Sequence, residues 1–207
     1  MRFARFITFG DEERGMSSEP QPRGPLGVVL AGVPAGARST IECYTSRGYD
    51  VRIADIGDGR DVDGGLAAVR SAMDALAARA RAGLIAVVGY GAGGRYAYLA
   101  VTRLGADAAG AFYGAGIGEH LTEASRAKLP LTLHFGDDDV DVPIEEVRRI
   151  KGALEGFATT EIYRYPGAGA GFALREDAGY NETAALQAER RVFAVLDSLV
   201  CGLPGDR

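Results

Sequence analysis

The sequence predicts an α/β fold, with a doubly wound, mostly parallel sheet and helices on both faces. Three observations support this prediction. Short apolar runs typical of buried strands recur along the chain, segments with helical periodicity separate them, and glycine-rich turns follow several of them. The chain has 207 residues, of which 47% are hydrophobic. It is therefore long enough to bury one substantial core, and we expect a single domain over residues 1–207.

Each predicted strand depends on an apolar or alternating run. Residues 2–9 alternate enough to form a short edge strand. A polar connection rich in Pro and Gly follows over residues 10–25, and it cannot bury much surface. The remaining predicted strands lie at 27–32, 49–56, 84–88, 109–113, 130–135 and 159–165.

The predicted helices alternate with these strands. Over 63–81, apolar residues recur at helical spacing behind an acidic start, which suits the helix dipole. The helix over 143–154 has Pro143 in its first turn, and the helix over 182–199 has Asn181 as its N-cap. Two further helices are predicted, one over 36–47 and one that ends at residue 104.

Composition and charge narrow the class of protein. A net charge of -5 argues against nucleic acid or an anionic membrane as the main partner, whereas a small-molecule ligand remains open. No apolar run reaches transmembrane length and the first residues do not resemble a signal peptide, so we expect a cytoplasmic protein. The two cysteines, Cys43 and Cys201, are far apart in the sequence, and we expect both to be reduced.

A glycine-dense turn after the strand at 84–88 is the central feature of the chain. Its letters, GYGAGG, fit both a dinucleotide-binding fingerprint and the sharp strand-to-helix turn called a nucleophile elbow. The dinucleotide interpretation requires an acidic residue at the end of the next strand, and that strand ends in AFYG. We therefore favour the elbow and expect no cofactor. Gly91, its central residue, has no side chain.

Three separate loops identify a family. VVGYGAGG, HFGDDDVDVP and YPGAGAGF resemble, in order and spacing, the dienelactone hydrolase family of α/β-hydrolases. The resemblance implies a Cys nucleophile, an Asp and a His, in the chain order of that superfamily. Carried over by position, the nucleophile falls on Gly91, the acid on Asp139 and the histidine on Ala170. Only the acid is retained.

The resemblance also implies where a ligand would bind. The family's glutamate falls on Val33, and its oxyanion-hole donor falls on Pro34, which has no N–H. The arginine that follows the family's histidine falls on Leu174, next to Arg175. The resulting prediction for the ligand pocket is Val33, Pro34, Tyr90, Gly91, Ala92, Tyr113, Ala170 and Arg175.

Other residues offer poor substitutes for the two missing groups. We expect His134 to be buried and structural, His120 to face solvent and Cys43 to belong to the core. The acidic run at 137–141 lacks the spacing of a calcium loop, so we predict no metal site.

These losses lead to a functional expectation with two alternatives. We expect a pseudoenzyme with a degenerate triad, which binds a small molecule or a protein partner without turnover. The first alternative is an isomerase, lyase or cyclase in which Asp139 or a tyrosine, Tyr90 or Tyr113, transfers protons. The second alternative is a residual carboxylic-ester hydrolase.

Overall fold

Six parallel strands form the centre of the structure, a computed structural model that describes residues 26–34, 36–78 and 83–201. The strand order is β2-β1-β3-β4-β5-β6, and every neighbouring pair is parallel. The strands are β1 Gly27–Ala31, β2 Asp50–Ala54, β3 Ile85–Tyr90, β4 Ala108–Phe112, β5 Leu131–Gly136 and β6 Thr160–Tyr165. The predicted strand over 2–9 and the connection over 10–25 lie outside the described residues.

Burial follows the position of each strand in the sheet. All residues of β1, β4 and β5 are buried, whereas the edge strands β2 and β6 expose part of their side chains. Central strands of a parallel sheet are covered on both faces and are therefore almost continuously apolar. This explains why the central strands were predictable from the sequence.

In the part of the chain that the structure describes, five α-helices cover the two faces of the sheet. One apolar cluster joins the sheet to α1 and α5, and another joins it to α2, α3 and α4. The helices are α1 Arg38–Thr45, α2 Val62–Ala77, α3 Ala92–Leu99, α4 Ile144–Leu154 and α5 Glu182–Cys201. The α/β prediction is confirmed. Within the described residues, no helix is long and apolar enough to cross a membrane.

Two helical segments differ from the prediction. The last turn after α3, Ala100–Leu104, is π-helical, and the segment Ile117–Arg126, which was not predicted, forms two 3-10 pieces that meet at a kink at His120. In this segment Ile117 and Ala124 are buried and Leu121 packs against the same core, so apolar residues recur at helical spacing and the sequence did carry a signal for it.

Candidate active site

A cavity of about 400 Å³ lies beyond the carboxyl ends of the strands, and the segments that follow all six strands contribute to it. Parallel α/β sheets commonly bind ligands at this edge. Seven of the nine residues predicted for the site line this cavity, and Val33 and Arg175 do not. The lining consists of Gly32, Pro34, Ile56, Gly57, Asp58, Tyr90, Gly91, Ala92, Tyr113, Ala115, Asp139, Asp141, Ala170, Gly171, Leu174 and Asp177.

The turn between β3 and α3 has the geometry of an elbow. Gly91 has φ 57° and ψ -126°, and its backbone N–H donates to the carbonyl of Phe112 at 3.1 Å. At Gly89, an added Cβ would overlap the backbone of Gly93, so the strand and the helix approach too closely for a side chain. At Gly91 an added Cβ would meet only Tyr113 Cε2, at 3.9 Å. The tip of the elbow therefore has space for a side chain, and that space belongs to the cavity.

The Asp139 carboxylate is held from one side. Its Oδ1 accepts backbone N–H groups of Asp141 at 2.8 Å and of Val142 at 3.1 Å. Its Oδ2 is buried and has no hydrogen-bond partner among the described residues. Because the residue is only 6% exposed, an unpaired oxygen at this position is energetically costly and calls for an explanation.

Two tyrosines that line the cavity differ in their hydrogen bonding. The Tyr90 hydroxyl lies 2.8 Å from the Tyr44 hydroxyl, and the pair is buried. The Tyr113 hydroxyl is buried and has no partner in the described chain. Burial, together with the nearby charges of Asp177 and Asp139, raises the pKa of Tyr113, so this hydroxyl remains protonated and can donate.

Tyr113 also has an unusual backbone. Its φ is 40°, and no other non-glycine residue in the described ranges has a positive φ. Its N–H donates to the carbonyl of His134 at 2.7 Å, and its ring contacts Phe172 at a centroid distance of 5.4 Å. Backbone strain of this kind is common at functional sites. Its neighbours therefore hold Tyr113 in one orientation at the cavity wall.

Neither histidine reaches the cavity. His134 is fully buried, its ring stacks on Phe112, and its Nδ1 lies 2.9 Å from the Tyr165 hydroxyl. Burial lowers the pKa of His134 to about 3, so the ring is neutral. His120 does not face solvent as expected: its side chain is 15% exposed and lies 3.8 Å from Glu123.

Arg175 turns away from the cavity. Its guanidinium donates to both carboxylate oxygens of Glu189 at 2.9 and 2.7 Å and to the Tyr180 hydroxyl at 2.9 Å. The next residue, Glu176, accepts the backbone N–H of Ser39 at the start of α1. These contacts attach the loop after β6 to two helices and leave Leu174 on the cavity side.

Two of the remaining candidates lie outside the cavity lining. Cys43 is half-buried, its sulfur is 4.0 Å from Arg175, and burial raises the pKa of its thiol. Val33 is buried beside the cavity and lines a neighbouring surface cleft. Within the described ranges, no group of three or more His, Cys, Asp and Glu residues is arranged to hold a metal ion.

Solved structures share this fold over most of its length. A dienelactone hydrolase-like promiscuous phosphotriesterase from metagenomic libraries matches with a TM-score of 0.70 and 19% identity, covering 85% of this chain and 87% of that chain. Est1E from Butyrivibrio proteoclasticus matches with a TM-score of 0.66 and 13% identity, covering 87% of this chain and 90% of that chain. The fold is therefore that of α/β-hydrolases.

The relatives with curated names are named as one kind of hydrolase. The carboxymethylenebutenolidases of Pseudomonas putida and Pseudomonas knackmussii are each 30% identical over 109 residues. Each match covers 53% of this chain and 46% of the relative, so the chain spans about half the length of these proteins. Their names correct our expectation of a pseudoenzyme that binds a ligand without turnover, because they favour hydrolysis.

A family model establishes the relationship over a longer stretch. It is described as the dienelactone hydrolase family, and it matches residues 50–200. This stretch includes strands β2 to β6, the elbow and the loops that carry Asp139 and Ala170. The chain belongs to the dienelactone hydrolase family.

Proposed function

We propose that this protein hydrolyses a small carboxylic ester or lactone by direct attack of water, without a covalent acyl-enzyme. The names of its relatives support hydrolysis, and the composition of the cavity lining supports the route. Among the sixteen lining residues, only aspartates and tyrosines carry side chains that can transfer a proton. None of the sixteen is Ser, Thr, Cys, Lys or His. We infer that the triad is degenerate, with Gly91 and Ala170 at the positions of its nucleophile and histidine.

Asp139 is the proposed general base. Two backbone N–H groups hold Oδ1, while Oδ2 lacks a partner among the residues that the structure describes. A water molecule in the space above Gly91 would attack the carbonyl carbon and pass its proton to Oδ2. The tetrahedral intermediate then collapses, the bond to the leaving oxygen breaks, and the proton passes from Asp139 to that oxygen. The products are a carboxylic acid and an alcohol, or a hydroxy acid from a lactone.

Two donors can stabilise the charge that develops on the carbonyl oxygen. Ala92 is the first residue of α3 and lines the cavity, so its backbone N–H has no acceptor within the helix. The Tyr113 hydroxyl is the second donor. Pro34 also lines the cavity and has no N–H to contribute. One such donor is typically worth about 10²- to 10³-fold in kcat.

The proposal also includes a cellular location and a class of binding partner. We propose a cytoplasmic enzyme whose partner is a small molecule rather than nucleic acid or a membrane surface. The charge of -5 and the apolar patterning support this assignment.

The first test compares two neighbouring aspartates. With p-nitrophenyl acetate as substrate, Asp139→Asn should lower kcat by about 10²-fold or more, because the general base is lost. Asp138→Asn is the control, since Asp138 is exposed, lies next to Asp139 and does not line the cavity. Circular dichroism and thermal unfolding of both variants establish that each is folded. Equal activity in the two variants would exclude Asp139 as the base.

A second test concerns the route. Rapid mixing should show a linear release of p-nitrophenol from the first turnover, and mass spectrometry should show no acylated protein, because no side-chain nucleophile lines the cavity. A stoichiometric burst or an acetyl adduct would contradict direct attack by water. Hydrolysis no faster than in buffer would contradict the function itself.

A further inference from the structure

The charges that line the cavity all have one sign. Asp58, Asp139, Asp141 and Asp177 line it, and none of the sixteen lining residues is Arg, Lys or His. Asp139 is buried, whereas the other three carboxylates are exposed. The cavity therefore has one buried carboxylate inside and three carboxylates at its rim.

Cationic groups lie beside the cavity rather than in its lining, since Arg60, Arg95 and Arg149 line an adjoining cleft that shares Asp58 and Asp141 with it. Arg60 lies 3.6 Å from Asp58, but both side chains are largely exposed and water screens such a pair. Arg95 is buried and donates to the carbonyl of Gly59, and it lines a neighbouring cleft. Within the described chain, no arginine, lysine or histidine nitrogen approaches Asp141 or Asp177 closely enough to form an ion pair.

Two further features of the cavity suit a cation. Tyr90 and Tyr113 are both among its lining residues, and aromatic rings attract ammonium groups, quaternary ammonium included. Oδ2 of Asp139 is an unpartnered acceptor on a residue that is 94% buried, since its exposed fraction is 6%. An unpartnered buried carboxylate oxygen is an observation independent of the rim charges, and it calls for a ligand that brings positive charge or a donor.

We propose that the substrate of this site carries a protonated or quaternary amine, which lies among the rim carboxylates and against the tyrosine rings. The inference rests on the proposed hydrolysis at the same site. An ester with its own carboxylate would bring a like charge into a cavity that already holds four, and we expect the site to disfavour it.

The test uses three acetates with the same scissile bond. They are acetylcholine, which is cationic; 3,3-dimethylbutyl acetate, its neutral isostere; and 4-acetoxybutanoate, which is anionic. At low ionic strength, kcat/KM for acetylcholine should exceed that for the neutral ester by about 10-fold and that for the anionic ester by about 10²-fold. Equal values for the cationic and anionic esters would overturn the inference.

Charge-neutralising variants locate the effect. The double variant Asp141→Asn/Asp177→Asn should reduce the preference for acetylcholine over its neutral isostere to about 2-fold, because two rim charges are removed. Asp74→Asn/Glu155→Gln is the matched control, since it removes two exposed acidic charges that do not line the cavity. A similar loss of preference in both double variants would show that net charge, not the rim, selects the substrate.

A binding measurement separates this inference from the hydrolytic one. Choline should bind the unmodified protein, as detected by isothermal titration calorimetry, at least about 10-fold more tightly than 3,3-dimethylbutanol. Choline binding without hydrolysis of any ester would refute the proposed function and leave the cation site standing. Hydrolysis of the neutral ester without choline binding would refute the cation site alone.

Discussion

Gly91→Ala tests whether the elbow keeps a conformation that disfavours side chains. With φ 57° and ψ -126°, Gly91 lies in a region of backbone space that is essentially restricted to glycine. Space is not the obstacle, because an added Cβ would meet only Tyr113 Cε2 at 3.9 Å. The cost of the substitution is therefore backbone strain, of about 1–3 kcal/mol. For a chain of this size the melting temperature should fall by about 2–12 °C, since each kcal/mol corresponds to about 2–4 °C.

Two other glycines supply the comparison. Gly152 lies within α4, and an added Cβ there would meet nothing within 4 Å. Gly152→Ala should stabilise the protein by about 0.5–1 kcal/mol, because glycine loses more backbone freedom on folding than alanine. At Gly89 the added Cβ would overlap the backbone of Gly93, which cannot move without separating β3 from α3. Gly89→Ala should therefore destabilise the protein more than Gly91→Ala does.

The assay combines thermal unfolding with hydrolysis of p-nitrophenyl acetate. In Gly91→Ala, the methyl group would occupy the space proposed for the attacking water, so kcat should fall by about 10-fold or more. Melting temperatures should decrease in the order Gly152→Ala, unmodified protein, Gly91→Ala and Gly89→Ala. A Gly91→Ala protein as stable as Gly152→Ala would refute the strained elbow. An unchanged kcat in folded Gly91→Ala would refute the position of the water.

Three further predictions follow from other contacts. Arg175→Met should destabilise the protein by about 3 kcal/mol in urea unfolding, because Glu189 would stay buried without its partner. A decrease in the free energy of unfolding below about 0.5 kcal/mol would mean that water screens the pair like a surface ion pair. His134 has a pKa of about 3 in the folded protein and about 6.5 when unfolded, so the unfolded chain binds more protons below pH 6.5. The free energy of unfolding should therefore decrease as the pH is lowered below 6.5. The slope due to His134 should approach about 1.4 kcal/mol per pH unit near pH 5, and it should be absent in His134→Phe. Gly91→Cys should show no acyl-enzyme by mass spectrometry, since no histidine lines the cavity to activate a thiol.

The sequence predicted the strands and the loops well because their signals are local. Apolar runs mark β1, β3, β4 and β5, and a glycine pattern marks the elbow. The 3-10 segment over Ile117–Arg126 was missed although Ile117, Leu121 and Ala124 recur at helical spacing, because the segment is short and is interrupted by a kink at His120. Helix limits shifted by a few residues, as at α1, which begins at Arg38 rather than residue 36.

Side-chain direction was less predictable than position along the chain. Arg175 and Leu174 are neighbours, and only the structure shows that the arginine pairs with Glu189 while the leucine lines the cavity. The role of Asp177 was missed altogether. It follows β6 by more than ten residues, and nothing in its surrounding sequence indicates that the loop returns to the cavity. Tertiary contacts decided both cases.

The elbow and the acid keep their geometry for reasons that do not involve a nucleophile. Close packing at Gly89 determines the turn between β3 and α3, whatever residue occupies position 91. Backbone N–H groups of Asp141 and Val142 hold the Asp139 carboxylate, so the position of this carboxylate does not require a histidine at position 170. Under the proposed degenerate triad, such a site would still present an oriented carboxylate beside an open space. Water is small enough to use that space, and this is why hydrolysis without a covalent intermediate is compatible with a cavity that has no nucleophilic Ser, Thr or Cys in its lining.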